Sequence, residues 1–99
     1  MKIRVREHAK FRPDKMAKIA LATTSRAQLD LYCLESGQDQ KPHAHDDQDK
    51  IYFVLDGETE TLEAGEAIVA PAGASHGIAN DGTGPLTVLV IVTPPPPHA

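Results

Sequence analysis

Residues 37–57 read GQDQKPHAHDDQDKIYFVLDG, and residues 65–80 read GEAIVAPAGASHGIAN. Three histidines lie in these stretches: His43, His45 and His76. Residues two apart in an extended strand project from the same face, so His43 and His45 can offer two imidazoles to one point. His76 follows the turn signal Pro71-Ala72-Gly73 and completes a tripod if the chain folds back. Three neutral imidazoles around one open position suit a divalent transition metal. The competing reading is three hydrogen-bonded histidines in a strand-rich core without a metal.

Short strand-like segments flank this stretch. Met1 to Arg6 alternates, with Ile3 and Val5 on one face, and predicts a short edge strand whose basic residues discourage further pairing. Glu7 to Lys15 contains Pro13 and predicts a loop. Met16 to Thr24 has helix formers, but its length and neighbours favour a strand. Gln28 to Glu35 predicts a strand with Leu29, Leu31 and Cys33 on one face. Pro42–His45 predicts a short strand, and Asp46–Asp49 a loop or bulge.

Ile51–Leu55 predicts a compact strand closed by Asp56-Gly57, a hairpin signal. Further strands are expected at Glu58–Leu62, Ala67–Ala70 and Leu86–Thr93. Turns are expected at Glu63–Glu66 and Asn80–Pro85. Pro94–Pro97 predicts an extended polyproline tail. Many short strands and no convincing helix point to an all-β fold, a small sandwich or barrel.

The 99 residues, 40% of them hydrophobic, suit one globular domain. The longest apolar run, Leu86 to Val92, is too short for a membrane span and reads as a buried strand. The basic N-terminus lacks the apolar core of a signal peptide. A lone Cys33 forms no internal disulfide, which favours a reducing cytoplasm and an inert buried thiol. Residues 1–18 carry seven Lys or Arg, whereas the remainder carries three basic and twelve acidic residues. Such an arm would lie on the acidic body or on a partner subunit. Nucleic-acid binding is not expected of it, because no aromatic platform accompanies the charge.

The two histidine-bearing stretches together resemble the cupins. The first cupin motif has glycine, five residues, His-x-His, three or four residues, Glu, six residues and glycine. Gly37, His43, His45 and Gly57 match it, but the family's metal-binding Glu falls on Lys50. The second has glycine, five residues, Pro-x-Gly, two residues, His, three residues and Asn. Gly65, Pro71, Gly73, His76 and Asn80 fill every place. The resemblance implies a small jelly-roll barrel over residues 1–99, with a basic arm (1–15), a barrel core (about 16–93) and a Pro-rich tail (94–99). It also implies three inward histidines holding Zn, Cu, Ni, Fe or Mn, and a homodimer, to which an exposed N-terminal strand would lend itself. The seven residues between Gly57 and Gly65 imply a trimmed hairpin.

Lys50 has two readings. It pairs with Asp46, Asp47 or Asp49 at the rim, or it works inside the barrel as a neutral amine that ligates, acts as a base or forms a Schiff base. Tyr52 shares its strand parity and would line the same cavity or simply pack. Asp49, three residues after His45, is the additional metal-ligand candidate, against a plain solvated acidic loop. His8 and His98 are expected to be exposed and idle. The sequence thus predicts a metal-binding barrel holding its ion through His43, His45 and His76, acting on a small organic acid or sugar-like ligand. The alternative is a non-catalytic ligand-binding or sensor module in which Lys50 replaces the usual Glu.

Overall fold

The computed structural model describes residues 1–96. Seven strands follow in order: β1 (Ala17–Thr23), β2 (Gln28–Leu34), β3 (Asp39–Ala44), β4 (Asp49–Asp56), β5 (Ala67–Ala70), β6 (Ser75–Ala79) and β7 (Leu86–Thr93). They form an antiparallel five-stranded sheet, β1-β2-β7-β4-β5, and a two-stranded sheet, β3-β6. Ile78 of β6 joins Tyr32, Leu34, Tyr52, Val54, Val88, Val90 and Val92 of the larger sheet in one core. The sheets thus close face to face into an all-β jelly-roll barrel.

Side-chain alternation decides what enters that core. Along β4, Lys50, Tyr52 and Val54 are buried while Asp49 and Asp56 are exposed, the period of two that a pleated strand imposes. Central β7 supplies Val88, Val90 and Val92 to the interior. Gln40 of β3 bridges the two sheets. It accepts a hydrogen bond from the Tyr52 hydroxyl (2.7 Å) and donates one to the Tyr32 hydroxyl (3.3 Å).

The opposite face of β1–β2 is also apolar. Ala17, Leu31 and Cys33 form a second cluster there, packed by Val5, Ala9 and Phe11 of the N-terminal segment. This arm does not form the expected Met1–Arg6 strand. Val5–His8 is a 3₁₀ turn instead, and Val5, Ala9 and Phe11 cover the apolar face of Ala17, Leu31 and Cys33, which takes that surface out of water. A homodimer resting on an N-terminal strand loses that support. Part of the basic arm does sit on the acidic body, with Arg6 pairing with Asp56 at 3.0 Å. Cys33 is fully buried, and burial raises its thiol pKa.

Two further expectations differ. Glu58–Leu62 is not a strand; the Glu58↔Glu63 bridge is the pairing that remains. Asp56-Gly57 makes no tight hairpin, since the next partner of β4 is β5. Gly57 (φ +96°) instead lies so close to the Pro85 carbonyl that a side chain there would collide with it. The Pro94–Pro97 expectation falls partly outside the described residues, and His98 wholly so. Among the described residues, no helix is long and apolar enough to cross a membrane.

Candidate metal centre

His43 and His76 are direct register partners across β3 and β6. That pairing requires a bulge, because Gln40 pairs with Ile78 and β3 then fits one extra residue before His43. Pro42 sits in the extra length, where its missing N–H breaks no ladder bond. Gly77 sits opposite. A side chain there would come within 2.7 Å of the Gln40 carbonyl oxygen and 2.9 Å of the Pro42 nitrogen. The bulge also switches parity, so that Gln40 and His43 both serve the interior.

The donor atoms of His43, His45 and His76 lie within 4.8 Å of one another. Ring centroids are 4.2 Å apart for His43–His76, 5.0 Å for His43–His45 and 5.6 Å for His45–His76. His76 is buried, His43 half-buried and His45 exposed at the open side. The Nδ1 of His43 lies 3.0 Å from the Lys41 carbonyl oxygen, and that of His76 lies 3.3 Å from the Ala74 carbonyl oxygen. A carbonyl only accepts, so each Nδ1 carries the proton and each Nε2 presents a lone pair. Yet the two Nε2 atoms face each other at 3.1 Å.

Two lone pairs at that distance repel unless a cation lies beside them. A metal about 2.0–2.1 Å from each nitrogen brings neighbouring ligand nitrogens to about 3 Å apart. The donor set therefore fits a divalent transition ion. Burial, then the proximity of His43 and Lys50, holds the His76 imidazole below its ordinary value, and this keeps its lone pair free.

Asp49 does not join this cluster. The chain turns at Asp46-Asp47 before β4 begins, so the unbroken parity it needed is lost. Its carboxylate accepts a 2.8 Å hydrogen bond from the Ala72 N–H instead. Nor does Lys50 pair at the rim. It is 6% exposed, with Nζ 5.3 Å from the Tyr32 ring centroid and 5.4 Å from that of Tyr52. Desolvation by burial lowers its pKa to about 8.

A cavity of about 130 Å³ adjoins His43 and His45. Lys18, Gln28, Asp30, Lys50 and Val92 line its side on the larger sheet, and Gln40 faces them. Tyr52 packs beneath His76, with ring centroids 6.3 Å apart. Burial pushes its phenol pKa up, and its hydroxyl is committed to Gln40. Lys18, Asp30, Gln28, Gln40 and Gly77 were not marked by the sequence motifs. Their available signal is parity with Tyr32 and Lys50 for the first three, and the Pro42 bulge for the last two.

The cupin domain family model matches residues 30–92. No curated protein matches the chain. Among solved structures, the chain is similar to TT1209 from Thermus thermophilus, at 41% identity and TM-score 0.89, covering 97% of this chain and 100% of that one. It also resembles an uncharacterized conserved protein with a double-stranded β-helix domain from Klebsiella pneumoniae subsp. pneumoniae. That match has 20% identity, TM-score 0.85 and coverage of 94% and 84%. An RmlC-like cupin protein from Desulfovibrio desulfuricans matches at 21% identity and TM-score 0.83, covering 96% of this chain and 97% of its own. The latter two speak for the fold alone.

Proposed function

The chain belongs to the cupin family, and we propose that it is a metal-binding member holding one divalent transition ion through His43, His45 and His76. The observation that carries this reading is the 3.1 Å approach of two Nε2 atoms whose rings are both oriented by backbone carbonyls. A bound ion would supply Lewis acidity at the mouth of the barrel, next to the cavity. We infer that this cavity receives a small organic acid or sugar-like ligand, in keeping with its size of about 130 Å³.

The test is elemental analysis with metal-edge X-ray fluorescence on protein purified without an affinity tag. Near-stoichiometric metal per chain, lost in His76→Ala, supports the tripod and names the ion. Wild-type protein that neither carries metal nor takes it up from solution overturns the reading.

The burial of Lys50 favours a second reading, a ligand-binding module that works without metal. With its pKa at about 8, a minor neutral fraction of the amine exists at neutral pH and is available as a base or nucleophile. Tyr52 does not line this cavity; fully buried in the core and hydrogen-bonded to Gln40, it packs and does not serve as a base. A melting-point shift produced by a small molecule on metal-free protein, unchanged by added metal, supports this second reading.

A further inference from the structure

The cavity wall carries two ammonium groups, those of buried Lys50 and of exposed Lys18, against the single carboxylate of Asp30. Lys50 on β4 and Gln28 on β2 are both register partners of Val92, one on each side of β7. Lys18 on β1 is the partner of Tyr32 and holds its Nζ 5.8 Å from that ring's centroid. The two ammonium groups line the same cavity. Among the described residues, neither makes an ion pair; the three pairs present are Arg4–Glu7, Arg6–Asp56 and Arg12–Asp14.

The one carboxylate in the cavity wall, Asp30, is 1% exposed and already accepts from Gln28 Nε2 at both oxygens, each at 3.0 Å. It lies near enough to oppose the lowering of the Lys50 pKa, but not within ion-pair distance. At pH 7 the Lys50 amine, with its pKa at about 8, is still mostly protonated. Its Nζ still reaches the cavity, but an ammonium largely withdrawn from water and without an ion-pair partner is costly to keep. Aromatic faces at 5.3 and 5.4 Å offset part of that cost.

From this arrangement we propose that Lys50 and Lys18 form a carboxylate subsite inside the barrel, against the wall adjoining His43 and His45. The subsite deepens the functional reading above and rests on it for the role of the neighbouring histidines. It selects a small organic acid over a neutral sugar. One anionic group would sit between the deep Lys50 ammonium and the Lys18 ammonium at the exposed edge, in a cavity too small for a long chain. Its charge-assisted contacts to both amines replace the solvation that burial removed.

The probes are propionate and its neutral isostere propionamide, titrated calorimetrically into metal-free wild type, Lys50→Met and Lys18→Met at low salt. Wild type is expected to bind propionate at least about tenfold more tightly than propionamide, since a fully made ion pair in a partly dry site is worth about that much or more. Lys50→Met should lose that preference and Lys18→Met should lose part of it. Circular dichroism melts of the same samples establish that both variants are folded. Equal affinity for the two probes, no measurable propionate binding, or unaltered propionate binding in both variants overturns the proposal. Metal content of the same wild-type batch, measured after reconstitution, separates the two readings. Propionate binding without metal uptake leaves the subsite standing and removes the metal; metal uptake without propionate binding does the reverse.

Discussion

The Nε2 atoms of His43 and His76 face one another at 3.1 Å across the β3–β6 register, with both Nδ1 atoms turned toward main-chain carbonyls. The backbone thus sets the tautomer of each ring, and the register sets their separation. Neither is adjustable by side-chain rotation alone without giving up a hydrogen bond. The result is a pre-oriented pair of donors, with His45 as a third at the exposed edge. Preorganisation of this kind raises affinity by removing the cost of assembling the ligands.

Protons compete with the metal for these nitrogens. Because burial lowers the His76 pKa below 6.5, its neutral form is favoured in the folded chain. The stability this contributes is complete above 6.5 and is lost as pH falls through the lowered folded value. Metal affinity measured by chelator competition is therefore expected to hold steady above about pH 7. It should fall at least about tenfold between about pH 7 and 5.5, as imidazoles take up protons. Constant affinity down to pH 5.5 would argue against histidine ligation.

Gly77 is the position on which the register depends. A methyl group there meets Gln40 and Pro42 backbone atoms at 2.7–3.0 Å, and backbone cannot rotate away. Gly77→Ala is expected to cost about 1–3 kcal/mol in denaturant unfolding, the usual range for overpacking. By moving His43, it should also weaken metal binding by at least about tenfold, comparable with losing an orienting contact of a ligand. A Gly77→Ala protein with wild-type stability and metal affinity would show that the bulge is not what positions His43.

The strands from β1 to β7 are mostly legible in the sequence because alternation and turn residues act locally. β4 and β7 announce themselves through Tyr52, Val54, Val88 and Val90, and the turns through Gly57, Gly65, Gly73 and Asn80. The convergence of His43, His45 and His76 follows from spacing together with family resemblance. What stays hidden depends on long-range contacts. Nothing local in Met1–Arg6 reveals that the outer face of Leu31 and Cys33 is left free by the strands and is covered by the segment carrying Val5. Likewise the place of Lys18 and Asp30 in the cavity follows from which strands neighbour β2, a fact of topology. Asp49 has the spacing of a ligand but not the position, because a turn and not a continuous strand separates it from His45.

Gln40 ties the two sheets together beneath the histidines. Gln40→Leu removes the acceptor for the Tyr52 hydroxyl and the donor to the Tyr32 hydroxyl, and both tyrosines are fully buried. The expected loss is about 2–4 kcal/mol, because two polar groups are left unsatisfied. Tyr52→Phe should cost only about 1 kcal/mol, since it removes one bond and strands only the amide oxygen. Adding Tyr32→Phe and Tyr52→Phe to Gln40→Leu should recover part of the deficit when the triple variant is compared with the three single ones. Strict additivity of the three would mean that the network is not coupled.

Lys50 puts stability and ligand binding in opposition. Its folded pKa, about 8, lies below the ordinary 10.5, so the unfolded chain holds this proton more firmly than the folded one. Between these two values the unfolded state carries more protons, and folding stability contributed by this residue rises with pH. Below about 8 the full penalty for burying the ammonium applies. Lys50→Met keeps the unbranched apolar stem but removes the Nζ that lies over the Tyr32 and Tyr52 rings, and with it the charge. The variant is expected to exceed wild type by about 1–3 kcal/mol at pH 7, with the gap narrowing as pH rises from 8 to 10.5. The raised pKa of Tyr32, about 12, affects both proteins alike and cancels from the difference. Urea unfolding of the pair at pH 7, 8, 9 and 10 measures it. A gap that is absent at pH 7, or that widens toward pH 10, would mean that the Lys50 ammonium is well solvated or paired in the folded chain.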